Sequence, residues 1–341
     1  MLNKQTTENI KNQISRCDES DPVKDYGKSL ESVQKQDTRL KNEVADALWK
    51  DDVLRTLDYQ EIDVRIKKGA VTLNGHISSS RSQNRVLNAL HTLPGIVKIT
   101  NNLVSDDKLT LDVASALGRL EHTYGCKFFT GASHGVISIN GTVDNEKIRL
   151  LAEKYASDTP HTRGVINNIQ VHGKKQDIQN LPFLQPAIGL TIYFLDWVSA
   201  IVKQVIMNPN NRRVIAIVAQ GKFASQQDDL HSMNDGSVSP SMRLVIIPMN
   251  TVRHLTRTSG FLYIKSDQKS EYIDFVPVHF ISPPQSWMHP YPYCPNDVLF
   301  PVEYKDNNMQ IEYKSDQYSF VALSKDTPLG EQLLANDSLG G

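Results

Sequence analysis

In the stretch LKNEVADALWKDDVL, Leu40, Val44, Ala47 and Leu48 fall three or four apart, the stripe of an amphipathic helix. IDVRIKKG and AVTLNGHI then alternate apolar and polar residues as half-buried strands do, with a turn predicted at Lys67–Gly69. The serines of SSSRSQNRVLNALHTL can cap a helix that buries Val86, Ala89, Leu90 and Leu93. Pro94–Gly95 stops it, and IVKITNNLV reads as a third strand. The same order then comes a second time. LTLDVASALGRLEH sets Val113, Ala116, Leu117 and Leu120 on one helical face, and CKFFT and GVISINGTV read as strands. DNEKIRLLAEKYASDT is a helix with Asp144 as its expected cap and Pro160 as its stop, and RGVINNIQV is the closing strand.

The two passes keep one register. Gly69 and Gly135, Asn74 and Asn140, Gly75 and Gly141, Pro94 and Pro160 all stand 66 residues apart, whereas VADAL and VASAL in the leading helices stand 69 apart. Matches held at constant offset over two such stretches indicate duplication. Gly75 and Gly141, placed between strand and helix, are expected to be structural turn glycines. LNGHISSS and INGTVDNE lack the further glycines and the GK[ST] of a phosphate-cradling loop.

Beyond HGKKQDIQNLPFLQPAIG the pattern changes to short strands rich in Val and Ile: LTIYFLD, AIVKQVIMN, RRVIAIVAQG, MRLVIIPMNTV and SGFLYIKS, broken by NPNN at Asn208–Asn211. KFASQQDDLHSMNDGSVSPS reads as an exposed insertion. The longest apolar run, Ala187 to Met207, carries Asp196 and Lys203 and is read as buried strands rather than a membrane span. Short strands with regular turns predict a small barrel.

Composition narrows the function classes. The chain has 341 residues, 39% apolar and 22% charged, as suits two or three globular domains. A formal charge of −1, from 37 Lys+Arg against 38 Asp+Glu, supplies no global field toward nucleic acid or anionic lipid. Cys17, Cys126 and Cys294 lie far apart without a CxxC spacing, and no HxH or HExxH occurs, so neither a disulfide framework nor a metal or other cofactor is expected. No apolar leader opens the chain, so a cytoplasmic protein, peripheral to a membrane at most, is the expectation.

The repeated helix-strand-strand-helix-strand unit, with V-x-L-x-G before its second helix and a strand ending in V-x-N-x-L/I after it, resembles the BON domain. The resemblance covers roughly 38–106 and 107–173 and implies a non-catalytic role in binding phospholipid, a small ligand or an envelope-associated partner, with links to osmotic stress response in bacteria. Basic residues on the second helices, Arg81 and Arg85 in the first copy and Lys147, Arg149 and Lys154 in the second, are the candidate lipid- or ligand-facing groups, set against a solvated helix face as the alternative.

Y-x-x-D at Tyr193–Asp196, V-x-x-V-I-x-N-P at Val202–Pro209, R-R-V at Arg212–Val214 and R-L-V-I-I-P at Arg243–Pro248 are similar to the PRC-barrel. Trp197 stands where that family commonly has a turn glycine, and Ala200 replaces another. The resemblance implies an adaptor that docks a protein partner, or, as the alternative, a ribosome- or RNA-associated assembly factor. In SWMHPYPYCPNDVLF, the prolines favour an extended arm that packs its aromatics on the barrel, with a partner surface at Trp287, His289, Tyr291 and Tyr293 as the alternative. Nothing at recognisable spacing turns His289 and Cys294 into a catalytic pair.

The fold class expected is thus α+β, two tandem αββαβ modules, plus an all-β PRC-barrel-like domain. The expected divisions are a disordered segment 1–37, modules 38–106 and 107–173, a linker 174–186, the β domain 187–322 and a tail 323–341. No enzyme activity, cofactor or transmembrane segment is expected, and nucleic acid is the disfavoured partner.

Overall fold

The computed structural model describes residues 29–174, 183–223 and 241–302. The segment expected to be disordered, the linker, the insertion between the middle strands, the end of the β domain and the tail therefore lie wholly or partly outside the described residues. Where description begins, the chain is already helical: α1 runs Ser29–Lys50, so residues 29–37 belong to a helix and not to a disordered arm. The chain divides into two compact units, one over residues 20–181 and one that holds the described residues from 183 onward.

The first unit contains both repeats. The first is α1, β1 (Ile62–Lys67), β2 (Ala70–Ile77), α2 (Ser80–His91) and β3 (Lys98–Ser105). The second is α3 (Asp106–Tyr124), β4 (Lys127–Ser133), β5 (Val136–Val143), α4 (Glu146–Asp158) and β6 (Gly164–Val171). In each, a hairpin pairs antiparallel and the third strand joins the middle one in parallel, after a helical crossover. The periodic stripes are the cores: Leu40, Val44, Leu48, Val86 and Leu90 are buried with Val71, Leu73 and Ile77 in one, and Val113, Leu117, Leu120, Ile148, Ala152 and Ala156 with Ile137 and Ile139 in the other. No spacer separates the modules, since β3 ends at Ser105 and α3 begins at Asp106.

Caps show where local chemistry sets the boundaries. Ser79 accepts a hydrogen bond from Ser82 N at the start of α2. At α4 the cap is Asn145, whose side chain accepts from Ile148 N at 3.1 Å, and not the expected Asp144. Asn145 has the extended backbone, φ −151° and ψ 161°, that a cap requires. Asn145→Ala is expected to cost about 1 kcal/mol, read as a lowered denaturant midpoint with unchanged slope; an unchanged midpoint would show that the cap contributes nothing.

Both hairpins close through two-residue loops with positive φ at each position, Lys68–Gly69 (53° and 74°) and His134–Gly135 (47° and 81°), which is the demand of a type I′ turn. Each turn is gripped by an aspartate from the leading helix of its module. Asp37 accepts from Lys68 N and Gly69 N at 2.8 and 2.9 Å, and Asp106 accepts from His134 N and Gly135 N at 2.6 and 2.8 Å. These aspartates share the 69-residue offset of the leading helices.

Gly75 and Gly141 do not turn the chain. Both lie inside strands β2 and β5, where a Cβ would stand 2.0 Å from the Glu61 carbonyl oxygen and 2.6 Å from that of Lys127. The repeated glycine marks the point where the neighbouring strand begins and its backbone crosses closest.

The second unit is all-β. Its strands are β7 (Thr191–Tyr193), β8 (Ser199–Met207), β9 (Val214–Phe223), β10 (Ser241–Pro248), β11 (Val252–Leu255), β12 (Ser259–Leu262), β13 (Ile273–Asp274), β14 (Phe280–Ile281) and β15 (Val298–Pro301). The main sheet runs β11-β12-β7-β8-β9-β10-β13, with β15 paired to β8 and β14. Among the described residues it does not close into a barrel, which departs from the expected architecture. β11 and β13 end the path without pairing to each other, and β8 divides one edge between β7 and β15. Ile192, Val202, Val205, Ile217, Ala219, Val245, Ile247 and Leu262 form its core with Phe223 and Tyr272. The long apolar run is β7, a turn at Asp196–Trp197, and β8, as expected.

Candidate functional site

The residues that join the two modules form the most densely polar place in the first unit. β1 of the first module is preceded by a π-helical turn, Leu54–Asp58, which leaves the Asp58 side chain fully buried. Its carboxylate accepts from Ser78 N (2.6 Å) and Ser78 Oγ (3.0 Å), and lies 3.7 Å from His134 Nε2, which also donates to the Leu57 carbonyl. Glu61 pairs with Arg163 at 2.7 Å, and Arg163 also donates to the His134 carbonyl. His76, buried on β2, donates through Nε2 to the His161 carbonyl at 2.6 Å. Its ring packs so closely on Gly135 that a Cβ there would fall 2.4 Å away. The second module's hairpin tip is thereby locked onto the first module.

Electrostatics follow from this packing. Burial pushes the His76 imidazole down to about 4, whereas the Asp58 carboxylate beside His134 holds that ring above its usual value. Burial raises Asp106 despite its two backbone donors. At the equivalent places of the other copy the chemistry is absent: strand register sets Lys127 against Glu61, Thr142 against His76 and Val97 against Arg163. No pairwise motif in the sequence announces the joint, because its bonded pairs lie up to 102 residues apart.

The sequence-selected basic residues separate into two kinds. Arg85 pairs with Asp51 at 2.9 Å across to α1, and Arg149 pairs with Glu146 on its own helix. Arg81, Lys147 and Lys154 are exposed and have no carboxylate partner among the described residues. Arg81 and Lys147 occupy the same position in the two copies.

The aromatic segment near the end of the β domain packs inward, in line with the packing reading favoured for it over a partner surface. Tyr293 is 3% exposed and its hydroxyl donates to the Pro186 carbonyl at 2.8 Å. Trp287 meets Phe300 edge-on at 4.9 Å, donates from Nε1 to the Pro209 carbonyl and lies under the Arg212 guanidinium. The Tyr291 carbonyl accepts from Gln185, and His289 alone of the four stays exposed. Cys294 is disulfide-bonded and is therefore no free nucleophile. Cys126 is a free thiol whose pKa burial raises. Among the described residues no group of His, Cys, Asp or Glu could hold a metal ion, and no helix is long and apolar enough to cross a membrane.

The exposed aromatic surface of the β domain lies elsewhere. Trp197 is 75% exposed at the β7–β8 turn and adopts φ 65°, the left-handed region that favours glycine. Tyr193 meets Trp197 edge-on at 6.4 Å and stacks on Phe261 at 5.7 Å. On the same side of the sheet Ile201 (44% exposed) faces Gln220, which faces Leu244, and Met242 (63% exposed) faces Lys222. Leu195 and Tyr263 are exposed beside them in the chain.

The BON domain model matches residues 36–119 and 131–173. No curated protein matches the chain. Among solved structures, the chain is similar to CdsD, a structural protein of the type III secretion system of Chlamydia trachomatis, at 14% identity and a TM-score of 0.32, over 39% of this chain and 61% of that one. A second structure, the C-terminal domain of CdsD, gives 14% identity, a TM-score of 0.31, and 39% and 64% coverage. The chain thus spans less than two thirds of either, and a likeness at this level carries no statement about its role. Two αββαβ modules in tandem, matched by the BON domain and fused without a spacer, make up the first unit of this protein.

Proposed function

We propose that this protein is a non-catalytic, envelope-associated binding or scaffold protein. In this reading the BON pair engages a phospholipid head group, small ligand or envelope partner, and the β domain docks a protein. The observation that carries the reading is the open aromatic and aliphatic surface around Trp197, because soluble proteins rarely expose contiguous apolar patches without a partner. The alternative ribosome- or RNA-associated role draws on the PRC-barrel resemblance alone, and 37 Lys+Arg against 38 Asp+Glu disfavour it.

For the BON pair, exposed Arg81 and Lys147 at matching positions favour an anionic head group. Flotation of the full chain with phosphatidylglycerol-containing vesicles at low salt tests this. Binding is expected, and the double variant Arg81→Glu, Lys147→Glu is expected to lose it, while Arg85→Glu also disturbs the pair with Asp51. A wild-type chain that stays at the bottom of the gradient removes the lipid role.

A further inference from the structure

The outer face of the main sheet is continuous across β8, β9 and β10, yet it is covered over only part of its length. Toward one end, Ile206, Ala216, Val218 and Ile246 are buried in one cluster with Phe275, Phe280 and Leu299, of which Leu299 stands beside Ile206 on β15 of the same sheet and Phe280 comes from β14. Toward the other end, the same face continues as Ile201, Leu244 and Met242, with Tyr193, Phe261 and Trp197 beside them, and the described residues place nothing over it. The covered half shows what this face accepts: extended chain that presents apolar side chains.

Three features say what the missing cover is. The first is charge. Strands β7 to β12 contain Lys203, Lys222, Arg243, Arg253 and His254 and no aspartate or glutamate. Arg243 pairs with Asp274, and Asp196 in the neighbouring turn is occupied by Ser266 N and Oγ. Lys222, Arg253 and His254 remain exposed. The second is an open edge. β13 pairs with β10 only at Val245 and Ile246, and Phe275 N donates to the Leu244 carbonyl. Ser241 to Arg243 have no strand on that side among the described residues, so an added strand could continue the line of β13. The third is Trp197. A bulky residue held at positive φ is strained relative to glycine, and its ring is presented to solvent, so the position serves something other than stability.

We propose that this half-face binds an extended, acidic segment of another protein, with apolar side chains set between Ile201, Leu244 and Met242, Trp197 closing over one end, and carboxylates meeting Lys222 and His254. A second copy of this chain is a poor occupant, because two such faces would bring like charges together. The inference rests on the docking role proposed for the β domain and names the chemistry of the partner.

The test uses the full chain and a labelled, end-capped ten-residue peptide that alternates Glu with Ile and Phe. Its counterpart carries Lys in place of Glu. Anisotropy is expected to show the acidic peptide binding in a salt-dependent way and the basic one not binding. Trp197→Gly is expected to weaken binding by about tenfold or more while leaving the melting temperature equal or higher. Lys222→Glu is expected to reverse the preference between the two peptides. Equal binding of both peptides, lost in Trp197→Gly, would keep the docking role and overturn the acidic partner. Loss of thermal stability in Trp197→Gly would make the tryptophan structural and overturn the assignment. So would binding to phosphatidylglycerol vesicles through Trp197 with neither peptide bound, a dimer that Trp197→Gly dissociates, or strong peptide binding that appears only when residues 224–240 are replaced by a Gly/Ser linker.

Discussion

Gly75→Ala is expected to destabilise the first unit by about 3 kcal/mol or more, and to do so through a backbone collision rather than a lost contact. The added Cβ would lie 2.0 Å from the Glu61 carbonyl oxygen, and φ at 127° is strained for any L side chain. The obstacle is main chain at the entry to β1, so no rotamer change relieves it. Moving Glu61 away also disturbs its pair with Arg163, and with it the joint between modules. Gly141→Ala meets the Lys127 carbonyl at 2.6 Å, with φ at 158°, close to ordinary extended backbone. It is expected to cost less and to leave the joint alone, since Lys127 takes no part in it. Thermal and urea unfolding of the two variants checks the order. Equal or negligible losses would show that the sheet yields at this crossing and that the glycine is not required there.

Acidification is expected to produce the second large effect, centred on His76. Its folded pKa, about 4, lies below the ordinary value of 6.5 because burial disfavours the imidazolium. The unfolded chain therefore takes up a proton at this residue first as pH falls. Stability should be intact above pH 6.5 and decline as pH drops from 6.5 toward 4, by an amount on the order of 3 kcal/mol. His134 acts in the opposite sense. Its pKa is raised by Asp58, so its contribution is present below pH 6.5 and fades as pH rises through the folded value. Asp106, raised by burial, opposes His76 weakly at the acid end. The joint is thus tightest in a window where His76 is neutral and His134 charged, with Glu61, Arg163 and His161 completing the set of groups that face them. Urea unfolding from pH 8 to pH 4 should trace this shape. His76→Gln, which can still donate to the His161 carbonyl, should flatten the acid limb. An acid limb unchanged in that variant would assign it to other groups.

Much of the architecture was legible from local pattern. The buried faces at Leu40, Val44 and Leu48, or Val113, Leu117 and Leu120, follow from helical periodicity, and the hairpin glycines Gly69 and Gly135 follow from turn chemistry. Less local features were misread or only partly read. Asp144 looked like a cap by residue type, but Asn145 holds the position because its backbone is extended there. For Trp287 and Tyr293 packing was the favoured reading over a partner surface, but local pattern did not show that Phe300 and Pro186, distant in sequence, are what cover them. Trp197 was noticed as an oddity in a turn, and its place on an open half-face depends on five other strands.

The sequence by itself determined the two αββαβ modules, their constant register and the strand-rich second unit, because hydrophobic period and turn residues act over a few positions at a time. Only the tertiary structure decided that the sheet is open among the described residues, that Gly75 serves a crossing instead of a turn, and that Asp58, Glu61, His76, His134 and Arg163 meet. Those outcomes depend on which strands pair and which chains approach across a hundred residues, and no local preference encodes them.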